Sequence, residues 1–323
     1  MERVARSPID LDALRARLGA IRANYRGRSV DGRLVVIESD DWGAIRTPSR
    51  AALEAMRSRG YLSEGSVYSY DALETANDLE RLFEVLSACT GSDGLPAVLT
   101  ANTIVANPDF EKIEKSEFSS YHYEPTTVTC QRDPATTATP DRWREGLEAG
   151  VYRPQFHGRE HLHHRRWLAR LRSGDEDTRF CFALGSTSSG KGDYSFMEAL
   201  EWDDPSEVGE QAQELVDGLN IFEGTFGYRS KSFIAPCYTW DPALNQALSE
   251  NGIDWLQGTR VQKSSIGNNG EFQWLRHWFG ERNEFGQLYN VRNVHFEPVM
   301  TPNLDAVSRA LAQVSIAFRM RRP

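Results

Sequence analysis

The chain reads as an α/β protein built from parallel βα units, and three observations predict it. Short apolar runs without alternation, such as LVVIE (34–38) and SFIAP (232–236), suit strands buried on both faces. Segments with apolar residues at helical spacing lie between such runs. The two kinds of segment alternate along most of the 323 residues, which builds a parallel sheet, either a barrel or a doubly wound sheet. No internal repeat, low-complexity tract or linker interrupts the pattern. One domain over 1–323 is therefore expected, with residues 1–30 as a helical extension and 108–150 as an insertion.

In order along the chain, residues 9–26 repeat apolar positions at helical spacing and stop at Gly27. The run 34–38 is the first strand. Helices are expected over 49–59 and 71–88. PAVLTANTIV (96–105) is a second strand, and Asn107-Pro108 marks a turn and a helix start. Residues 116–140, rich in Ser, Thr, Tyr and Pro, read as an irregular stretch suited to covering a site. A helix over 141–150, a short strand around Gln155–His157 and a helix over 161–171 follow. TRFCFAL (178–184) reads as a strand, 186–193 as a loop and 205–222 as a long helix. Strands over 232–236, 253–258 and 288–296 enclose a helix at 241–252. A last amphipathic helix covers 303–318.

Bulk properties exclude several classes. Net charge is −9, and basic residues are scattered until Arg319, Arg321 and Arg322, so nucleic acid is not an expected partner. The four cysteines (Cys89, Cys130, Cys181, Cys237) are far apart and show no CxxC spacing, which fits a reducing compartment better than a disulfide framework. The N-terminal stretch lacks the apolar core of a secretory signal. No apolar run approaches the ~18 residues that suggest a membrane span. A cytoplasmic protein is expected.

Chemistry concentrates in two fragments. LVVIESDDWG carries Asp40 and Asp41 where a strand runs out, and PQFHGREH carries His157 and His161. A carboxylate and two imidazoles make the three-ligand set of a hydrolytic metal site, with one coordination position open. The second aspartate is then free to act as a base. Each fragment also has a plain structural reading. Asp-Asp before Trp-Gly can cap the next segment, and FHGREHLHHRRW can be a solvated basic helix start. Both fragments close strands, however, so both can face one cavity. His163 and His164, further along the helix, read as surface residues.

These residues resemble the polysaccharide deacetylases of the NodB-homology type, carbohydrate esterase family 4. The family's first motif is roughly TFDDG, against ESDDWG here. Its second is H-S/T-x-x-H, against HGREH. Its third is roughly R-x-P-Y, against FIAPCYTW (233–240). The resemblance runs from about residue 33 to the end. It implies a distorted (β/α)7 barrel with the site at the C-terminal ends of the strands. It implies Asp41, His157 and His161 as ligands of a divalent metal, with Zn2+ the leading choice, and Asp40 as general base. A backbone N–H of Cys237 or Tyr238 would hold the oxyanion. The aromatic rings of Trp42, Tyr238 and Trp240, inside the motifs, suit a sugar face; Asn102 and Asn107 flank the end of the second strand and read equally as pocket residues or as structural amides. The implied substrate is an N-acetylated sugar or oligosaccharide.

The sequence departs from the family pattern in several places. The third-motif arginine, which pairs with the base, aligns with Ile234, and Arg159 is the candidate replacement. Gly158 stands where Ser or Thr is usual, and Glu38 and Trp42 flank the acidic pair. The family's last motif supplies a histidine general acid. His295 is the candidate here, although a further strand is expected after 303–318, and the acid would then lie beyond Pro323. Two other readings stay open: an amide hydrolase acting outside sugar chemistry, and a catalytically silent glycan-binding protein.

Overall fold

The computed structural model describes residues 11–62, 66–69, 72–191, 195–267, 270–299 and 305–323. Its strands, in chain order, are β1 (Ile37–Trp42), β2 (Leu99–Thr103), β3 (Ala106–Pro108), β4 (Tyr123–Pro125), β5 (Tyr152–Phe156), β6 (Ser232–Ile234), β7 (Trp255–Gly258), β8 (Val261–Ile266), β9 (Glu271–Arg276) and β10 (Leu288–Val291). Six of them form one sheet in the order β1-β2-β5-β6-β7-β10, and every pairing is parallel. The order rises with the sequence and never reverses. A doubly wound sheet reverses at a switch point, so this winding is of the barrel kind. The expected parallel βα architecture is present. Among the described residues it has six strands where the resemblance implied seven, and β1 and β10 are its two edges.

Helices cover the outside of the sheet. Glu207–Phe226 and Leu244–Glu250 pack their buried faces on β5–β7 through a cluster that includes Phe156, Leu219, Phe222, Phe233, Leu248 and Leu256. Ala76–Ala88 and Thr139–Glu148 cover β1, β2 and β5 through Leu79, Leu86, Leu99, Trp143 and Tyr152. A third cluster, around Ile113, Trp167, Leu171 and Phe182, anchors the segments beside the C-terminal ends of β2 and β5. Burying each such large side chain stabilises the fold by about 1.5–3 kcal/mol. The strands of the site therefore rest on a packed base.

Several elements differ from expectation. Residues 178–183 are helical, within Glu176–Ala183, and Leu184 caps that helix. Asp175 caps that helix by accepting from the Thr178 N–H, and Thr178, Cys181 and Phe182 bury one helical face. A run of apolar residues alone does not separate that pattern from a strand. The stretch 116–140 is not irregular throughout: β4 pairs antiparallel with β3 inside it. The β8–β9 hairpin was not foreseen. β1 begins at Ile37 rather than Leu34, and β10 ends at Val291 rather than Phe296. The starts of the helices expected from 9, 71 and 303, and the end of the loop expected over 186–193, lie outside the described residues.

Candidate metal centre

The acidic corner is made by a backbone irregularity. Successive residues of a strand point to opposite faces, yet Asp40 and Asp41 line the same cavity. The β1–β2 register slips between Ser39 and Trp42, and Asp41 adopts a left-handed φ of 68°. A bulge of this kind re-aims a side chain, and here it turns two adjacent carboxylates into one cleft. The corner is braced from behind. Gly43 donates its N–H to Glu74 (3.2 Å), and Asn107 accepts from the Ile45 N–H and donates to the Gly43 carbonyl. Gly43 has φ 76°, and a Cβ there would stand 2.5 Å from the Ile104 carbonyl oxygen. Only glycine fits.

β5 delivers the imidazoles. The His157 N–H continues the ladder by donating to the Thr103 carbonyl (3.0 Å). Gly158 then turns the chain at φ 111°, a conformation that Ser or Thr in the family motif would adopt only with strain. His161 follows in the turn before the helix His164–Arg172. Its Nε2 lies 3.3 Å from Asp41 Oδ1, and His157 Nε2 lies 3.0 Å from the same oxygen. Ligands ~2.0–2.1 Å from a tetrahedral ion sit about 3.3 Å apart, so the observed spacings are those of a coordination sphere. The three donor atoms all fall within 4.8 Å of one another. His157 Nδ1 is 2.9 Å from the Ile234 carbonyl. That contact requires the proton on Nδ1, the usual outer support of a metal-binding histidine, and makes Nε2 the atom that faces Asp41: it donates to Asp41 when the imidazole is cationic and is free to hold an ion when it is neutral. The residues present fit a divalent ion.

Electrostatics keep the corner anionic. Burial alone would raise the Asp41 pKa, but its interactions with His161, the hydrogen bond from His157 and the charge of Arg46 outweigh it and hold the carboxyl well below its ordinary range. Its side chain remains 40% accessible from the cleft, although protein surrounds it on most sides. Burial, joined by the Arg46 charge, pushes the His161 pKa down to about 3, so this imidazole is neutral at pH 7. His157 is also buried, yet its hydrogen bond to Asp41 and the charge of Asp40 raise its pKa. A cation bound between these groups takes over the role of that proton.

Asp40 stands beside the centre with a different set of partners. Arg292 grips both its oxygens (2.6 Å each), and Asn102 donates to Oδ1 at 2.8 Å. Burial works to raise its pKa, and the Arg292, His157 and Asn102 interactions bring it below the ordinary value. A carboxylate offers about four acceptor positions. Three donors leave one for a proton-bearing partner.

The partner of Asp40 is thus Arg292, just past β10, and not Arg159. The Arg159 guanidinium is held by Glu160 (2.7 Å) and Asp217 (3.2 Å) and lies over the Tyr123 ring. Arg292 also donates to Glu38 (2.9 Å), as does Asn290 (2.5 Å). These side chains bridge β1 and β10 where no backbone ladder joins them among the described residues. Strand periodicity carried the signal: Asn290 and Arg292 are two apart and share a face, while Tyr289 and Val291 are buried on the other. Arg46, 4% exposed and 3.3 Å from Asp41, was also missed.

The remaining candidates divide. Cys237, Tyr238 and His295 line the same cavity, of about 790 Å³. The Tyr238 N–H donates to the Ala235 carbonyl, which leaves Cys237 as the backbone donor of that turn; both residues have left-handed φ, near 55°. Tyr238 Oη accepts from Arg292 (3.2 Å). Trp240 does not face the cleft. It is buried in the core, and its indole N–H donates to Asn245. Trp42 packs edge-on against Tyr152 behind the corner. His163 is buried rather than on the surface, and its ring accepts from the Arg166 N–H at the helix start. His164 stacks on Tyr121 and bonds Glu214. His295 is open to solvent on the Arg292 side of the cleft but has protein around much of its ring, and that partial loss of hydration together with the Arg292 charge lowers its pKa.

No protein-family model matches the chain, and no curated protein matches it. Among solved structures, it is similar to a polysaccharide deacetylase from Bacillus cereus at 12% identity and a TM-score of 0.37, over 86% of this chain and 68% of that one. It is similar to the BpsB deacetylase domain from Bordetella bronchiseptica at 13% and 0.33, over 84% and 91%. It is similar to IcaB from Ammonifex degensii at 11% and 0.31, over 89% and 98%. Likenesses of this strength establish neither a shared fold nor a shared activity. The chemistry of the site rests on its own geometry. No helix among the described residues is long and apolar enough to cross a membrane.

Proposed function

We propose that this chain is a metal-dependent hydrolase that removes an N-acetyl group from a sugar or polysaccharide precursor. One observation carries the reading: a complete three-donor set, Asp41, His157 and His161, shares its cavity with a second carboxylate, Asp40, held ready by Arg292 and Asn102. The motif order of the sequence supports the deacetylase class. Those three donors would hold the ion, and Zn2+ suits the mixed N/O set. When bound, such an ion lowers the pKa of a coordinated water to about 7 and polarises a carbonyl.

The chain's own residues supply the rest. Asp40, ionised well into acid, takes the proton of the attacking water. Arg292 fixes its orientation and keeps it from protonating early. The Cys237 N–H is offered to the oxygen that gains negative charge, because its neighbour's N–H is already engaged. His295 is assigned the proton for the leaving amine. With its pKa lowered it rests neutral, takes up the proton that Asp40 removed from the water and delivers it to the leaving nitrogen, which returns both groups to their starting forms. Four free cysteines fit a reducing, cytoplasmic setting, and a place in surface-polysaccharide assembly suits such a setting.

Acetate release from N-acetylhexosamine oligomers and from matched non-sugar acetamides tests the reading, with the protein loaded with Zn2+. Asp40→Asn is expected to lower release about 10²–10⁴-fold while metal content persists. Turnover of the non-sugar amides alone would move the activity outside sugar chemistry. Oligosaccharide binding without acetate release by the wild type would make the chain a glycan-binding protein.

A further inference from the structure

A second pocket, of about 440 Å³, opens between the N-terminal helix (Leu11–Asn24) and the β8–β9 hairpin. Three arginines from three separate elements line it: Arg22 on the helix, Arg260 after β7 and Arg276 at the end of β9. Leu18, Ile21, Tyr25 and Trp278 form the rest of its wall. Among the described residues none of the three arginines is ion-paired to a carboxylate. Arg260 spends one N–H on the Arg22 carbonyl (3.2 Å) and lays its guanidinium 5.3 Å from the Trp278 ring centre.

This arrangement needs an explanation. The chain carries a net charge of −9, with carboxylates enough to neutralise a cationic cluster. A helix C-terminus favours one basic residue, and Arg22 can be accounted for in that way. It does not account for two more brought from a strand end and a hairpin. Arg22 and Arg276 are exposed and Arg260 is half-buried, so water screens much of their mutual repulsion; partial burial and the nearby charges of Arg22 and Arg276 still lower the Arg260 pKa. A planar guanidinium fork matches a phosphate better than a lysine does. The pocket also stands next to the metal cleft. Asn293 lines the cleft and donates to Asn24, two residues past Arg22 on the same helix (2.9 Å).

We propose that this pocket binds the phosphate or diphosphate group of the substrate, so that the acetylated sugar is presented to the cleft by its anionic handle. The proposal rests on the hydrolase reading for its role, although the anion site itself does not. The aromatic and apolar wall would take the group beyond the diphosphate, a nucleoside or a lipid chain.

Calorimetric titration with inorganic pyrophosphate, with uridine 5′-diphosphate and with phosphatidylcholine vesicles doped with undecaprenyl diphosphate tests it. Tryptophan fluorescence gives a second signal. Saturable pyrophosphate binding is expected, weakening with ionic strength, and about tenfold or more weaker in Arg260→Gln and in Arg276→Gln. Tighter binding of the nucleotide would name a soluble carrier, and selective association with the doped vesicles a lipid one. No binding to any of the three probes, or equal binding by both variants, overturns the proposal. Acetate release from a neutral N-acetyl sugar separates the two readings. If the wild type both binds pyrophosphate and releases acetate from the neutral sugar, the anion site stands beside the hydrolase. If the wild type binds pyrophosphate and never releases acetate, the hydrolase reading fails and the anion site remains.

Discussion

The two sides of the cleft are built differently. On the β1–β5 side, a bulge, two glycines and a set of buried hydrogen bonds fix Asp41, His157 and His161 over a close-packed base that includes fully buried Phe156 and Tyr152. On the β10–β1 side no ladder joins the strands among the described residues. Leu34, Val35 and Val36 before β1, and Phe296 and Val299 beyond β10, are about half exposed. Side chains alone span that gap, with Arg292 reaching both Glu38 and Asp40. The metal-holding half is therefore set by backbone geometry and core packing, and the base-holding half by two side chains, Arg292 and Asn102. Damage to the first should appear as lost stability and lost metal, and damage to the second as lost rate with metal retained.

The largest effect is expected from Phe156→Ala. It empties a fully buried site one residue before His157 and should cost about 3–5 kcal/mol of stability. Chemical denaturation would detect it; a cost under about 1 kcal/mol would mean that the packed half is not packed. Arg292→Gln comes next. It should lower kcat/KM for acetate release about 10–100-fold, equivalent to about 1.4–2.7 kcal/mol, by removing a charged hydrogen-bond pair. Arg292 lowers the Asp40 pKa, so its loss raises that pKa. Asp40 must be ionised to act, so the acid limb of the pH–rate profile should move to higher pH, with metal content unchanged. A profile that stays in place would separate Arg292 from the base. The smallest effect is expected from Val36→Thr, in the open half, at 47% exposure. Its cost should fall within about 0.5 kcal/mol, and a loss comparable to that of Phe156→Ala would show the gap to be closed by packing.

The same contrast governs what could be read from the sequence. The order of the sheet strands, the acidic pair and the histidine pair were legible because each lies in a short continuous segment with a clear pattern, although strand boundaries such as those of β1 and β10 were not. That Arg292 meets Asp40 was not legible. Arg292 is 252 positions away, and its role depends on β10 and β1 becoming the two edges of one curved sheet. Arg159 was the nearer candidate along the chain, but Glu160 and Asp217 draw it the other way. Trp240 was assigned to the cleft because it sits inside a motif. The turn at Cys237 and Tyr238, left-handed at both residues, sends the following chain into the core, where Asn245 satisfies the indole. The segment 178–184 failed for a local reason: Asp175 supplies a helix cap that a count of apolar residues overlooks.

Metal content of the purified protein, wild type against His157→Ala, tests the centre most directly. One divalent ion per chain in the wild type, and affinity weakened by more than about 100-fold in the variant, is the expected result, since removing a ligand should cost at least as much as removing its outer support. Stoichiometric metal that survives His157→Ala with unchanged affinity would contradict the centre assigned to Asp41, His157 and His161.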